Sequence, residues 1–280
     1  ISSNNALQKA RWLLNAAKGG HTGTLDPMAS GLLPLTLGEA TKFSQTLLDA
    51  DKAYDATVLL GVTTTTADAE GEVLARCPVD VSDSDIERAL VQLRGDIEQV
   101  PPMYSALKHH GKALYEYARA GVEIPREPRH VKIHRFECLG RDGDSLMVRV
   151  ECSKGTYVRT LASDLGAMLG CGAHLTALRR TRIGPFVIDG AVPLADIEAM
   201  PPEERDSLLA PVDSLLVHLP RLDLDANQTR SFTHGQSAQG CIGTAGEMFR
   251  VYHDESFIGV GSLDDAGALV PTRLISTSNQ

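Results

Sequence analysis

Lys52-Ala53-Tyr54-Asp55-Ala56-Thr57-Val58-Leu59-Leu60 sets tyrosine, alanine, valine and leucine on alternate positions. Successive side chains of a strand point to opposite faces, so this period of two predicts a half-buried strand over 52–60. Leu146, Val148, Val150 and Cys152 repeat the pattern, and a partner strand over 131–139 precedes them across the turn Asp142-Gly143-Asp144. A further mixed strand is expected over 174–182. Helical spacing fills the intervals. Leu7, Ala10, Leu14 and Ala17 follow a Ser2 or Ser3 cap, a short helix spans about 39–48, and Ser84 with Glu87 forms a capping box before Ile86, Ala89, Leu90 and Leu93. Gly95 would close that helix and Gly121 a short one around Leu114, Tyr117 and Ala118, while Gly155 would introduce a helix over 156–169. Residues 18–34 and 63–71 read as loops. The class is α+β, with a central, mostly antiparallel sheet flanked by helices and loops.

Prolines at 193, 201, 202, 211 and 220 punctuate a connector. Short β-like runs such as Phe249-Arg250-Val251-Tyr252 and Phe257-Ile258-Gly259-Val260 follow it. Two domains are expected, at 1–218 and 219–280, the second small and β-rich.

With 280 residues, 42% hydrophobic and 22% charged, the chain has the composition of an ordinary globular protein. No apolar run approaches the roughly 20 residues of a membrane span, and no leader pattern opens the chain, so a cytoplasmic protein is expected. The five cysteines are scattered without a C-x-x-C, which argues for small buried thiols against disulfides or zinc. The net charge of −9 counts against a nucleic-acid partner, but the charge is segregated. Residues 101–135 carry +4 and four histidines, whereas 194–225 carry −6. Local patches set the field that phosphates feel.

Three places could carry chemistry. Asp26 lies between Leu25 and Pro27 in a loop with glycines at 19, 20, 23 and 31. A rigid loop presenting one carboxylate suits nucleophilic or general-base work, although an Asp-Pro there is more often a simple turn. In Ser153-Lys154-Gly155-Thr156-Tyr157-Val158-Arg159 a strand turns into a helix, and Arg159 could pair with a buried Asp. Tyr54 could be a core residue or an aromatic platform for a base. Adjacent His109 and His110 point apart on regular elements, so no metal site is expected there. Walker, dinucleotide-binding, H-E-x-x-H and G-x-S-x-G signatures are all absent from the sequence.

Taken together, separated blocks resemble the bacterial tRNA pseudouridine-55 synthase family. They are Gly20-His21-Thr22-Gly23-Thr24-Leu25-Asp26-Pro27 with its continuation to Pro34, Gly38-Glu39-Ala40-Thr41-Lys42-Phe43, Asp51-Lys52-Ala53-Tyr54, Pro101 to Lys108 with Gly111-Lys112, Ser153 to Thr160, Gly170 to Leu175, and Leu178-Arg179-Arg180. The resemblance implies an isomerase that acts on uridine 55 in the T loop by base flipping, without a cofactor or metal, as a monomer. Asp26 would be the catalytic carboxylate, Arg159 its partner, and Tyr54 the stacking residue that moves a ribose proton. Tyr157 would line the pocket, Leu178 its wall, and His21 would fill the space of the flipped base. Lys42, Lys108, Lys112 and Arg180 would touch the RNA backbone. The last 60 residues resemble, more weakly, the family's small C-terminal RNA-binding domain, a PUA-like fold. Two departures stand out. The family's opening strand, ending Lys-Pro-x-Gly, lies outside this sequence, and Thr63-Thr64-Thr65-Thr66 replaces a common Arg-Thr-Asp-Thr.

Other readings compete. A related synthase could be guided by a separate RNA, and an RNA-folding protein could carry chemistry only secondarily. A metal-dependent or aspartyl-phosphate enzyme fits poorly, because no second Asp lies two residues after Asp26.

Overall fold

The Ser2 hydroxyl accepts a hydrogen bond from the Asn5 N–H at 3.1 Å and opens helix α1 (Ser3–Leu13), as expected. The computed structural model describes residues 1–276. The glycine-rich stretch read as a loop contains two short strands, β1 (Gly19–His21) and β2 (Ser30–Gly31), and β3 (Leu35–Leu37) follows to pair with β1. The short helix predicted next is a 3-10 turn, Gly38–Phe43, running into α2 (Ser44–Asp49).

Strand β4 (Lys52–Leu60) has the expected bounds. The segment read as a polar loop begins with β5 (Val62–Thr64), which forms a hairpin with β6 (Val73–Arg76). The capping box of α3 (Asp83–Gln92) sits two residues earlier than predicted, between Ser82 and Asp85. Gly95 does not close that helix; its φ of +86° instead turns the chain into β7 (Gly95–Gln99). A small hairpin of β8 (Lys108–His109) and β9 (Lys112–Ala113) leads into α4 (Leu114–Arg119). The predicted hairpin is β10 (Arg129–Asp142) with β11 (Ser145–Cys152), followed by α5 (Val158–Met168), β12 (Ala173–Ile183) and β13 (Phe186–Val187).

The main sheet runs β13-β12-β4-β11-β10-β7, antiparallel throughout, with β2 added in parallel beside β12. The alternating apolar residues of β4 and β11 face α3 and α5, where Val58, Leu90, Leu146, Leu161 and Leu165 are fully buried. Each such side chain contributes roughly 1.5–3 kcal/mol by leaving water. The cysteines are all free; Cys152 and Cys171 are buried as expected, but Cys77 is exposed.

The proline-punctuated connector contains helix α6 (Leu194–Ala199). Strand β14 (Arg221–Asp223), helix α7 (Ala226–Thr233) and strands β15 (Met248–His253), β16 (Ser256–Leu263) and β17 (Leu269–Leu274) complete the chain. They form a second sheet in the order β14-β15-β16-β17, in which β14 is parallel to β15. The reading of this region as β-rich omitted α7, which Asp225 and Gln228 cap and which buries the single large apolar residue Phe232. The two sheets meet where Leu47, Ile183, Leu216 and Val260 share one cluster. Among the described residues, no helix is long and apolar enough to cross a membrane.

Candidate active site

The loop bearing Asp26 is held from both sides. On one side Ser3, the first residue of α1 and 5% exposed, accepts the Leu25 N–H at 2.9 Å. On the other, the Leu32 N–H donates to the Arg180 carbonyl at 2.8 Å, and Arg180 Nε donates back to the Leu32 carbonyl at 2.8 Å. Arg180 Nη2 also donates to the Gly23 carbonyl at 3.1 Å. Within the loop, the Ala29 N–H closes a turn onto the Asp26 carbonyl at 2.9 Å. The backbone around Asp26 is therefore fixed by hydrogen bonds to two other elements, which leaves the carboxylate with little freedom.

That carboxylate meets Arg159, the second residue of α5. Arg159 Nε donates to Asp26 Oδ2 at 2.8 Å and Nη2 to Oδ1 at 3.2 Å, a two-pronged fork. The guanidinium is spent elsewhere too, on the Thr66 carbonyl at 3.0 Å and the Tyr104 carbonyl at 2.7 Å. Arg159 is 3% exposed and the Asp26 side chain 35%. The cation is thus interior, and the carboxylate is the partly open member of the pair.

A second carboxylate lies behind the first. Asp68 Oδ2 is 3.5 Å from Arg159 Nε, with its side chain 4% exposed. Its other oxygen accepts the Thr66 hydroxyl and the Glu70 N–H. Ala67, at φ +59°, makes the turn that points Asp68 inward. Nothing in the sequence pattern singles out Asp68. Its role was hidden because Arg159 lies 91 positions further along the chain. The threonine run is likewise not an idle loop: Thr66 holds both members of the buried pair.

Tyr54 lies opposite Val150 and Arg180 in the sheet register, on the same face as α5. Burial pushes its hydroxyl up to about 12, and the neighbouring Arg180 guanidinium pulls against that rise. Burial also raises the Tyr157 hydroxyl. Leu178, beside Ala56 in the register, is buried with Met28 packed against the same cluster. His21 ends β1 and is half-buried, its Nδ1 without a hydrogen-bond partner.

The four expected backbone-contacting cations separate. Lys108 and Lys112 are exposed on the β8–β9 hairpin, with Lys112 Nζ 4.7 Å from the Tyr117 ring centroid. Lys42 is engaged at Glu39, 2.6 Å away, and donates to the Leu274 carbonyl at 2.8 Å, tying the 3-10 turn to the end of β17. Arg180, expected at the RNA backbone, faces inward. It is 1% exposed, and its donors are used on the loop that carries Asp26. Burial lowers its pKa.

The site is thus a carboxylate forked to a buried arginine, with a buried tyrosine nearby on an antiparallel sheet. The family described as TruB family pseudouridylate synthase (N terminal domain) matches residues 11–158. The tRNA pseudouridylate synthase B C-terminal domain matches 159–217, and the pseudouridine synthase II TruB C-terminal region matches 220–275. The chain belongs to the TruB family of pseudouridylate synthases. It is 63% identical over 277 residues to tRNA pseudouridine synthase B of Aromatoleum aromaticum, covering 99% of this chain and 90% of that protein. The counterpart from Chromobacterium violaceum is 56% identical over 285 residues, covering 100% and 92%. Among solved structures, a chain of a Cbf5-Nop10-Gar1 complex superposes with a TM-score of 0.74 at 26% identity, covering 98% of this chain and 82% of that one.

Proposed function

We propose that this chain isomerises uridine 55 in the T loop of tRNA to pseudouridine, with Asp26 as the catalytic carboxylate. The observation that carries the proposal is the fork between Asp26 and the buried Arg159, which holds a partly exposed carboxylate against an enclosed cation. The names of its curated relatives support tRNA as the substrate.

The reaction breaks the bond between C1′ and N1, forms one between C1′ and C5, and moves the C5 proton away while N1 regains one. No atom is gained or lost, so no redox or hydrolytic partner is required. The target base must leave the stack for Asp26 to reach its sugar. Asp26 then attacks C1′, or takes a ribose proton to give a glycal; both routes start from the same carboxylate. Tyr54 stacks on the flipped uracil with its hydroxyl protonated, as a pKa of about 12 requires. Tyr157 and Leu178 line the pocket, His21 fills the vacated stack, and Lys42, Lys108 and Lys112 contact phosphates. Arg180 braces the Asp26 loop. The catalytic unit spans 1–218 and the small RNA-binding unit 219–280, of which 277–280 lie outside the described residues. The protein acts as a cytoplasmic monomer on the T-arm stem-loop.

The test is tritium release from tRNA transcript labelled at uridine C5. Wild type is expected to release it from bare transcript, which also excludes dependence on a guide RNA. Asp26→Asn is expected to abolish release and keep RNA binding. Turnover by that variant near the wild-type rate would remove Asp26 from the mechanism.

A further inference from the structure

We infer that Gln99 is a positioning residue for Tyr157 and, through it, for Arg159. The inference rests on the reaction proposed above. Gln99 ends β7 and is 2% exposed. Its Oε1 accepts the Tyr157 N–H at 2.7 Å, and its Nε2 donates to the Tyr157 carbonyl at 3.1 Å. One side-chain amide thus satisfies both backbone groups of one residue, reproducing the paired bonds of a strand ladder where no strand is available.

Tyr157 depends on that partner. It is the residue at which the chain enters α5, with φ −105° and ψ 109°, and no side chain caps the helix. Those two angles set the direction in which α5 departs. Arg159 follows within the first turn, so the fork to Asp26 at 2.8 and 3.2 Å inherits any error at Tyr157. Catalytic geometry tolerates roughly 0.5 Å or 10–20° of such error.

Gln99 also leads into the segment that meets Arg159. Five residues on, the Tyr104 carbonyl accepts Arg159 Nη2 at 2.7 Å, and the Ser105 carbonyl then accepts the Tyr115 N–H at 3.1 Å. The exposed lysines 108 and 112 lie between these anchors. The amide therefore joins the pocket tyrosine, the arginine and the hairpin that reaches towards RNA.

The experiment uses the full chain with Gln99→Met, which keeps the length and removes the amide. Gln99→Glu keeps the acceptor and sets an oxygen against the Tyr157 carbonyl. Single-turnover tritium release, tRNA dissociation constants and melting temperatures are measured for both beside wild type. Expected is a roughly ten- to hundredfold loss of single-turnover rate in each variant, with affinity close to wild type and a melting temperature lowered only by the Tyr157 backbone groups left unpaired. If one variant melts far lower, the other decides. The inference is overturned if either folded variant reacts at the wild-type rate, or if rate, affinity and melting temperature fall together in both. Silence from wild type itself would instead refute the functional reading, so the two failures are distinguishable.

Discussion

Arg159 Nε lies 2.8 Å from Asp26 Oδ2 and 3.5 Å from Asp68 Oδ2, so one buried guanidinium serves two carboxylates. The pair is unequal: Asp68 is enclosed and anchored by Thr66 and the Glu70 N–H, whereas Asp26 is partly open. Asp68 sets a second negative charge beside the guanidinium, whose hydrogen bonds go to Asp26, Thr66 and Tyr104.

Asp68→Asn puts an amide where the second carboxylate stood, and its N–H or its weaker dipole must face Arg159. The fork onto Asp26 is expected to shift, and single-turnover isomerisation to slow by roughly ten- to hundredfold. RNA affinity should hold, because Asp68 is too deep to touch RNA. Unchanged single-turnover kinetics would show that Arg159 needs no second partner.

Much of the sheet was legible because strand alternation is a local property. Tyr54, Ala56, Val58 and Leu60 gave β4 its bounds, and the β10–β11 hairpin followed from the same rule. The cap of α3 was misplaced by two residues because Ser82 and Ser84 both precede an acidic residue by three, and only the backbone distinguishes them. Asp26 and Arg159 were found through several blocks read together, since nothing local links two residues so distant in the chain. Gln99, Ser3 and the burial of Arg180 were not legible. Each is a polar side chain spent on a carbonyl or N–H of another element, and such a bond leaves no pattern in composition or spacing.

Gly31 is the tightest point beneath the Asp26 loop. Its φ is +102°, and an added Cβ would stand 2.3 Å from the Arg180 carbonyl oxygen. Gly31→Ala must push β2 off β12 or strain the backbone, at a cost of about 1–3 kcal/mol. Gly190, with no atom within 4 Å of its would-be Cβ, is the control and should tolerate alanine. Urea denaturation of the two variants checks this, and equal stability would contradict the close approach.

Glu39 gives the contact between the two sheets a pH dependence. Its carboxyl is held at about 2, below the ordinary 4.5, by Lys42 first, then by the Ser276 N–H and Lys18. A folded-state pKa below the unfolded one stabilises fully above the unfolded value, and the stabilisation is lost as pH falls through the folded one. The melting-temperature gap between wild type and Glu39→Gln is therefore expected to be widest near neutrality and to close as pH drops from about 4.5 towards 2. A gap independent of pH would mean that the ion pairs do not survive in solution.

Arg180 and the hairpin lysines should part company under salt. Lys108 and Lys112 are exposed and free to release counterions from a phosphate backbone, so alanine at either should reduce the slope of log affinity against log salt by about one unit. Arg180 is 1% exposed and bound to the Leu32 and Gly23 carbonyls, so it has no counterion to exchange. Arg180→Lys keeps the charge but loses the fork, leaving at least one of those carbonyls unpaired. Hydrogen bonds to a charged group contribute about 1.5–3 kcal/mol each, and a loss of that size should appear in thermal denaturation. Single-turnover rate should fall as well, because the loop that presents Asp26 loses its brace, while the salt slope stays at its wild-type value. A reduced slope in the Arg180 variant would place its guanidinium on the RNA and reverse the assignment made from its burial.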